Sequence, residues 1–311
     1  MDRHAAVEPQ EEDGRRCEQG AGSVAKSVAP LTTGGAASVL TFRARGRKVL
    51  VNSRTTSDVW IARSERRPTA RLRLFCFPYA GGSSALFREW PARLPEAIDP
   101  VLVELPGRGA RLNESCFEEL PPLVQATYEG LNPHFDRPFA FFGHSMGALL
   151  AFELARLLRR QGGPTPVHLF VSGSAAPRVP RADLSRHGLP RIEFIQELRR
   201  MNGTPAEVLD NPELMDILLP LLRADFAVSE NYTFESDSPL KIPITAFGGV
   251  EDTHITREEF HVWNQETSGP FVLHMIQGDH FFLNTAHSTI IESIEQELFN
   301  GSFVVGGRMS P

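Results

Sequence analysis

The sequence predicts an α/β fold: a mostly parallel, doubly wound sheet carrying a helical lid insertion. Three observations predict it. Six short apolar runs lack the polar alternation of a half-exposed strand and stop at or just before Gly or Pro, as strands covered on both faces do. Amphipathic segments alternate with these runs, the pattern of crossover units in a parallel sheet. One interval, between the fourth and fifth runs, is too long for a plain crossover.

The elements follow in order. Residues 1–68 are rich in Gly, Ala, Ser, Thr, Arg and Glu without a sustained period and are expected to form a mostly disordered N-terminal extension. Within it, Val39-Leu40-Thr41 and Val49-Leu50-Val51 have strand composition but nothing nearby to bury them; translation starting downstream, for instance at Val51, is an alternative. The folded domain is expected over 69–300, followed by a flexible tail, 301–311. Strands are expected at Arg71–Phe77, Val101–Leu105, Phe139–Phe142, Val167–Val171, Ile242–Phe247 and Phe271–Ile276. The clearest helix is Ala148–Arg160, stopped by Gly162-Gly163. The long interval contains helical patterns over Ile192–Met201, Pro205–Leu209 and Leu214–Val228. A cap at about 183–235 is its expected use, with Ile192, Ile195, Leu198, Leu214, Leu218 and Leu221 turned to the mouth of a site.

Composition excludes some classes. The chain has 311 residues, 41% hydrophobic and 23% charged, with a formal net charge of −6. An acidic balance argues against a nucleic-acid surface. No run approaches the ~20 apolar residues that span a bilayer, and the acidic N-terminus is a poor signal peptide. Cys17, Cys76 and Cys116 form no CxxC pair, so neither a zinc knuckle nor a disulfide framework is expected. These readings point to a cytoplasmic protein, off the membrane.

Chemistry is legible at Gly143-His144-Ser145-Met146-Gly147, which follows a strand and opens a helix. That context defines a nucleophile elbow, the mark of the α/β-hydrolase fold. The serine sits at a strained turn, glycines leave room for crossing backbones, and the helix N-terminus faces the developing oxyanion. A serine hydroxyl needs a base and an orienting carboxylate, in this fold in the order Ser, acid, His. His280 follows the last strand and Asp252 the fifth. Asp225, in the insertion, is the rival acid. His274 is expected to pack, His287 to face solvent, His254 to miss the strand end, His144 to point away from the reaction and Glu251 to turn from the site. Oxyanion donors are expected from the N–H of Met146 and, in Phe77-Pro78-Tyr79-Ala80-Gly81-Gly82-Ser83, from Ala80, with Gly81 in reserve.

FPYAGGS, PGRGARL, GHSMGALLAFELA, LFVSGSAAP and GDHFFL together resemble the type II thioesterases of polyketide and nonribosomal peptide pathways, over roughly Leu72 to Phe299. The chain departs where such enzymes often have an acidic residue and it has Gly109-Ala110. The resemblance implies hydrolysis of acyl groups from the phosphopantetheine arm of acyl or peptidyl carrier protein domains. Ser145 would attack, His280 act as base, Asp252 hold its tautomer, and Ala80 and Met146 bind the oxyanion. It implies no metal and no bound cofactor, since the pantetheine belongs to the carrier; the protein is expected to be a monomer. Two other classes stay open: an esterase or lipase on free small esters, and a hydrolase fold reused for binding without catalysis.

Overall fold

The computed structural model describes residues 39–44, 47–52, 59–62, 67–180 and 185–299, the first two stretches by backbone alone. Residues 1–38 and the expected tail, 301–311, lie outside the described residues. Strands β1 (Val39–Ala44) and β2 (Arg47–Asn52) pair with each other as an antiparallel hairpin, Val39 opposite Asn52.

The main sheet has seven strands: β3 (Ile61–Ala62), β4 (Leu72–Phe77), β5 (Ile98–Val103), β6 (Phe139–His144), β7 (Leu169–Ser172), β8 (Ile244–Gly249) and β9 (Phe271–Ile276). Their order across the sheet is β3-β5-β4-β6-β7-β8-β9. All neighbours are parallel except the edge pair β3 and β5. The helices are α1 (Trp90–Arg93), α2 (Leu120–Leu131), α3 (Met146–Arg160), α4 (Arg191–Met201), α5 (Ala206–Leu209), α6 (Pro212–Glu230), α7 (Arg257–His261) and α8 (His287–Phe299).

Strands β5 to β8 are buried along their whole length and β4 at all but Arg73, as strands covered on both faces are; the edge strand β9 is only partly buried. In β4, Phe75 and Phe77 pack toward α2 and α3, whereas Leu72, Leu74 and Cys76 pack toward α1 and α8. Phe139 and Phe141 of β6 join the first core, and Ala140 and Phe142 the second. Between β4 and β6 the winding reverses, because β5 lies on one side of β4 and β6 on the other. Open α/β sheets bind ligands beyond the strand carboxyl ends at such a switch point.

Two boundaries differ from expectation. The sheet begins before residue 69: Ile61 and Ala62 pair with Val103 and Leu102. Trp60 beside them is buried under the Arg111 guanidinium, 4.1 Å from its ring centroid. A two-residue strand is too short to show a period, which is why composition missed it. β5 starts three residues earlier than the apolar run, at Ile98, because Asp99 and Pro100 hide its entry. Pro100 is tolerated there because β3 reaches only Leu102 and Val103. Trp60→Ala should therefore cost about 3–5 kcal/mol, measured by urea denaturation. An unchanged midpoint would return Trp60 to the extension.

The insertion forms a small core of its own. Phe194 and Leu198 of α4 meet Met215, Leu219, Leu222 and Phe226 of α6. Of the expected inner face, Leu198 and Leu221 are buried and Ile195 and Leu218 partly so, whereas Ile192 and Leu214 are exposed, 72% and 42%, and Phe194 and Met215 pack in their place. No helix among the described residues is long and apolar enough to cross a membrane.

Candidate active site

Ser145 stands between β6 and α3 with φ 53° and ψ −114°. A non-glycine residue there is strained, and the crossing backbones hold it. A Cβ at Gly143 would lie 2.1 Å from Gly147 O, and one at Gly147 would lie 2.3 Å from Phe77 O. Only glycine lets strand, helix and the end of β4 approach this closely. The Ser145 N–H donates to Ser172 O at 2.8 Å, tying the turn to β7.

Asp252 and His280 arrive from the carboxyl ends of β8 and β9. Their loops are tied together by Val250 N–H to Ile276 O, 2.8 Å, and Glu251 N–H to Gly278 O, 2.9 Å. His280 Nε2 lies 3.2 Å from Ser145 Oγ, and His280 Nδ1 lies 2.8 Å from Asp252 Oδ2. A carboxylate only accepts, so Nδ1 carries the proton and Nε2 is free to accept from the serine hydroxyl. The Asp252 side chain is fully enclosed and also accepts from His254 N–H at 2.8 Å. Burial pushes its carboxyl upward, but the His280 hydrogen bond and charge and the His254 N–H outweigh it. The pKa stays below the usual aspartate value.

The remaining candidates sort clearly. Asp225 is bonded to Arg108, at 2.7 Å through each carboxylate oxygen, rather than to His280. It also accepts from the Gly81 N–H at 2.6 Å, so that reserve donor is occupied. The N–H groups of Ala80 and Met146 have no partner among the described residues. His274 stacks on Phe247, and Glu251 turns outward to Gln277. His287, expected in solvent, is half-buried and accepts from the Trp90 indole N–H at 3.1 Å. At Gly109, φ is 51°, and the Glu104 carboxylate stands 2.3 Å from where a Cβ would sit. The side chain absent at 109 leaves its space to Glu104.

His144 does more than point away. It is fully buried behind the site, its Nε2 3.0 Å from His280 O and its Nδ1 2.9 Å from Ser172 Oγ. A carbonyl only accepts, so Nε2–H donates to His280 O and Nδ1 accepts from the Ser172 hydroxyl. Burial first, then the charge of His280, holds its pKa at about 3 against an ordinary 6.5. The unfolded chain takes up this proton near pH 6.5 and the folded one does not, so stability falls as pH drops through that window. On the order of 3 kcal/mol should be lost by pH 4 from this group. His144→Gln, with no proton to gain, should flatten that acid limb in urea denaturation. Parallel pH profiles for the two proteins would refute the assignment.

A cleft of about 490 Å³ opens on Ser145, Met146, Ala80 and His280. Its far walls carry Arg186, Ser229, Glu230 and His254. A second recess of about 40 Å³ lies on the insertion side, lined by Leu198, Leu222, Phe226 and Phe281.

Fold and site together are those of an α/β-hydrolase: a serine at the elbow of the central strand, with the histidine and carboxylate on later loops. A model of the thioesterase domain family matches residues 72–298, and the chain belongs to that family, whose members are hydrolases of thioesters. It is 45% identical over 239 residues to the gramicidin S biosynthesis protein GrsT of Aneurinibacillus migulanus, covering 77% of this chain and 93% of GrsT. It is 44% identical over 252 residues to the protein named linear gramicidin dehydrogenase LgrE of Brevibacillus parabrevis, covering 80% and 95%. The structure of RedJ, a thioesterase from the prodiginine pathway of Streptomyces coelicolor, superposes with a TM-score of 0.71. That match has 40% identity and covers 74% of this chain and 92% of RedJ.

Proposed function

We propose that this protein is a type II thioesterase that releases acyl groups from the phosphopantetheine arm of carrier protein domains in nonribosomal peptide or polyketide assembly. The observation that carries the chemistry is the hydrogen-bonded run Ser145–His280–Asp252 on the floor of the cleft. Support for the substrate comes from the relatives, named for gramicidin S and prodiginine biosynthesis. The dehydrogenase in the name of LgrE is not part of this reading. The strand-to-helix turn carries GHSMG, and no GxGxxG dinucleotide turn occurs in the chain.

Ser145 Oγ attacks the thioester carbonyl while its proton passes to His280 Nε2. Asp252 keeps Nδ1 protonated and stabilises the imidazolium that forms. Charge gathering on the carbonyl oxygen is met by the Met146 and Ala80 N–H groups, aided by the N-terminus of α3. The C–S bond breaks, and the pantetheine thiolate takes the proton from His280. Water then gives its proton to the same nitrogen and attacks the acyl-serine. Ser145 Oγ leaves, is reprotonated, and the free acid departs.

The larger cleft falls within the roughly 300–1,000 Å³ of small-molecule sites and suits the pantetheine arm. The apolar recess holds only a few heavy atoms and suits a short acyl chain. The carrier brings its own prosthetic group, so the reaction needs no resident cofactor. A test loads one carrier with acetyl, butyryl or octanoyl groups and compares kcat/KM with that for p-nitrophenyl esters of the same acids. The proposal expects the acetyl and butyryl carriers to be preferred over both the octanoyl carrier and the free esters. Equal turnover of free esters with none on carriers would make the protein an esterase.

A further inference from the structure

One buried carboxylate joins the insertion to the loop after β4. Asp225, within α6, is 2% exposed, and Arg108 is 4% exposed. Besides its two bonds to Asp225, Arg108 donates to Gly82 O at 3.0 Å and to Pro106 O at 3.2 Å. Asp225 Oδ2 accepts from Gly81 N–H at 2.6 Å. Leu222 of the same helix fills the space above Gly81, its Cδ2 2.5 Å from where a Cβ would stand. Tyr79-Ala80-Gly81-Gly82 is itself a turn, closed by Gly82 N–H to Tyr79 O at 2.9 Å. Gly81, at its third position, has φ 77°, which marks a type II turn.

Types I and II differ chiefly by a flip of the peptide between the second and third residues. Here that peptide carries the Ala80 carbonyl and the Gly81 N–H. An acceptor fixed opposite the Gly81 N–H selects one flip, and Asp225 is that acceptor. Arg108 fixes the carbonyl of Gly82, the last residue of the turn, and holds Asp225 in place. Stability does not require such a pair, because apolar replacements of buried ion pairs are often neutral or stabilising. What apolar side chains do not supply is two directed hydrogen bonds onto this turn.

We propose that Asp225 and Arg108 form a latch that positions the Tyr79–Gly82 turn, and with it the Ala80 N–H, for the oxyanion. They are positioning residues and do not touch the reacting atoms. The inference rests on the reading above in which Ala80 is a donor. It also makes the oxyanion site depend on α6: with the helix seated the turn is set, and with the helix lifted the acceptor leaves it.

The test is Arg108→Met/Asp225→Leu, which removes both charges at similar volume. Melting temperature, kcat and KM on an acyl N-acetylcysteamine thioester, and inhibition by a trifluoromethyl ketone analogue that forms an oxyanion on Ser145, are measured together. The latch predicts an unchanged or raised melting temperature, a kcat lowered about 10²-fold as for loss of one oxyanion donor, and little change in KM. The inhibition constant should rise by the same factor as kcat/KM falls. A folded double variant with undiminished kcat, or an inhibition constant that stays put while kcat falls, overturns the latch. If the double variant does not fold, Asp225→Asn is read by the same measurements. Ser145→Ala is run alongside: turnover by that variant would sink the serine mechanism itself, whereas an inert Ser145→Ala beside a fully active double variant sinks the latch alone.

Discussion

Replacing Ser145 with alanine is expected to lower kcat by about six orders of magnitude, the scale seen when a triad nucleophile is removed, and to leave the fold intact. The hydroxyl lies in an open cleft, and among the described residues its side-chain hydrogen-bond partner is His280 Nε2. Alanine also relieves nothing and strains nothing: both residues have a Cβ, and φ 53° costs them alike. His280→Ala should lose a similar factor, and the double variant little more, because members acting as a unit are not additive. Single-turnover hydrolysis with urea denaturation of each variant is the check. Residual activity in Ser145→Ala well above the buffer rate would remove serine from the chemistry.

Asp252→Asn is expected to lower kcat by about 10⁴ with little change in folding. An asparagine can turn its amide N–H toward His280 Nδ1 and so hold the ring in the tautomer that cannot accept from Ser145. Against it stands Asp225→Asn, whose loss should stay near 10² because it acts through the oxyanion turn. The two losses should also differ in kind. Losing Asp252 should change the pH dependence of kcat, since the imidazolium loses its counter-charge, and losing Asp225 should not. A larger loss at Asp225 than at Asp252, with an altered pH profile, would move the acid onto α6.

Much of this fold and site is legible in the sequence. The strands β4, β6, β7, β8 and β9 are apolar runs that stop at Gly or Pro or just before them, so the positions of Ser145, Asp252 and His280 at strand ends are legible in the sequence. The elbow was legible because its glycines answer a local steric demand. What escaped was either too short or too distant. Ile61–Ala62 is two residues long, and a strand is known there only by what it pairs with. The helices of the insertion are legible, but the exposure of Ile192 and Leu214 is not, because a helical period says nothing about which neighbour each side chain meets. The Arg108–Asp225 pair spans 117 residues and the Gly81 contact 144, and no local pattern relates such positions. The elbow turn predicts only the direction of the His144 ring, whereas its hydrogen bond goes to a carbonyl 136 residues away.

The winding of the sheet also sets when the protein becomes an enzyme. Ser145 and His280 are 135 residues apart, and they are joined only once β7, β8 and β9 have been laid down beside β6 in turn. Each parallel step closes a long stretch of chain before it gains a contact, so such topologies have high contact order and fold slowly. As the chain leaves the ribosome, Ala80 and Ser145 are made long before His280. A nascent or half-folded molecule therefore presents a serine with no base beside it. Recovery of turnover during refolding should report on completion of the last strand, not on collapse of the core.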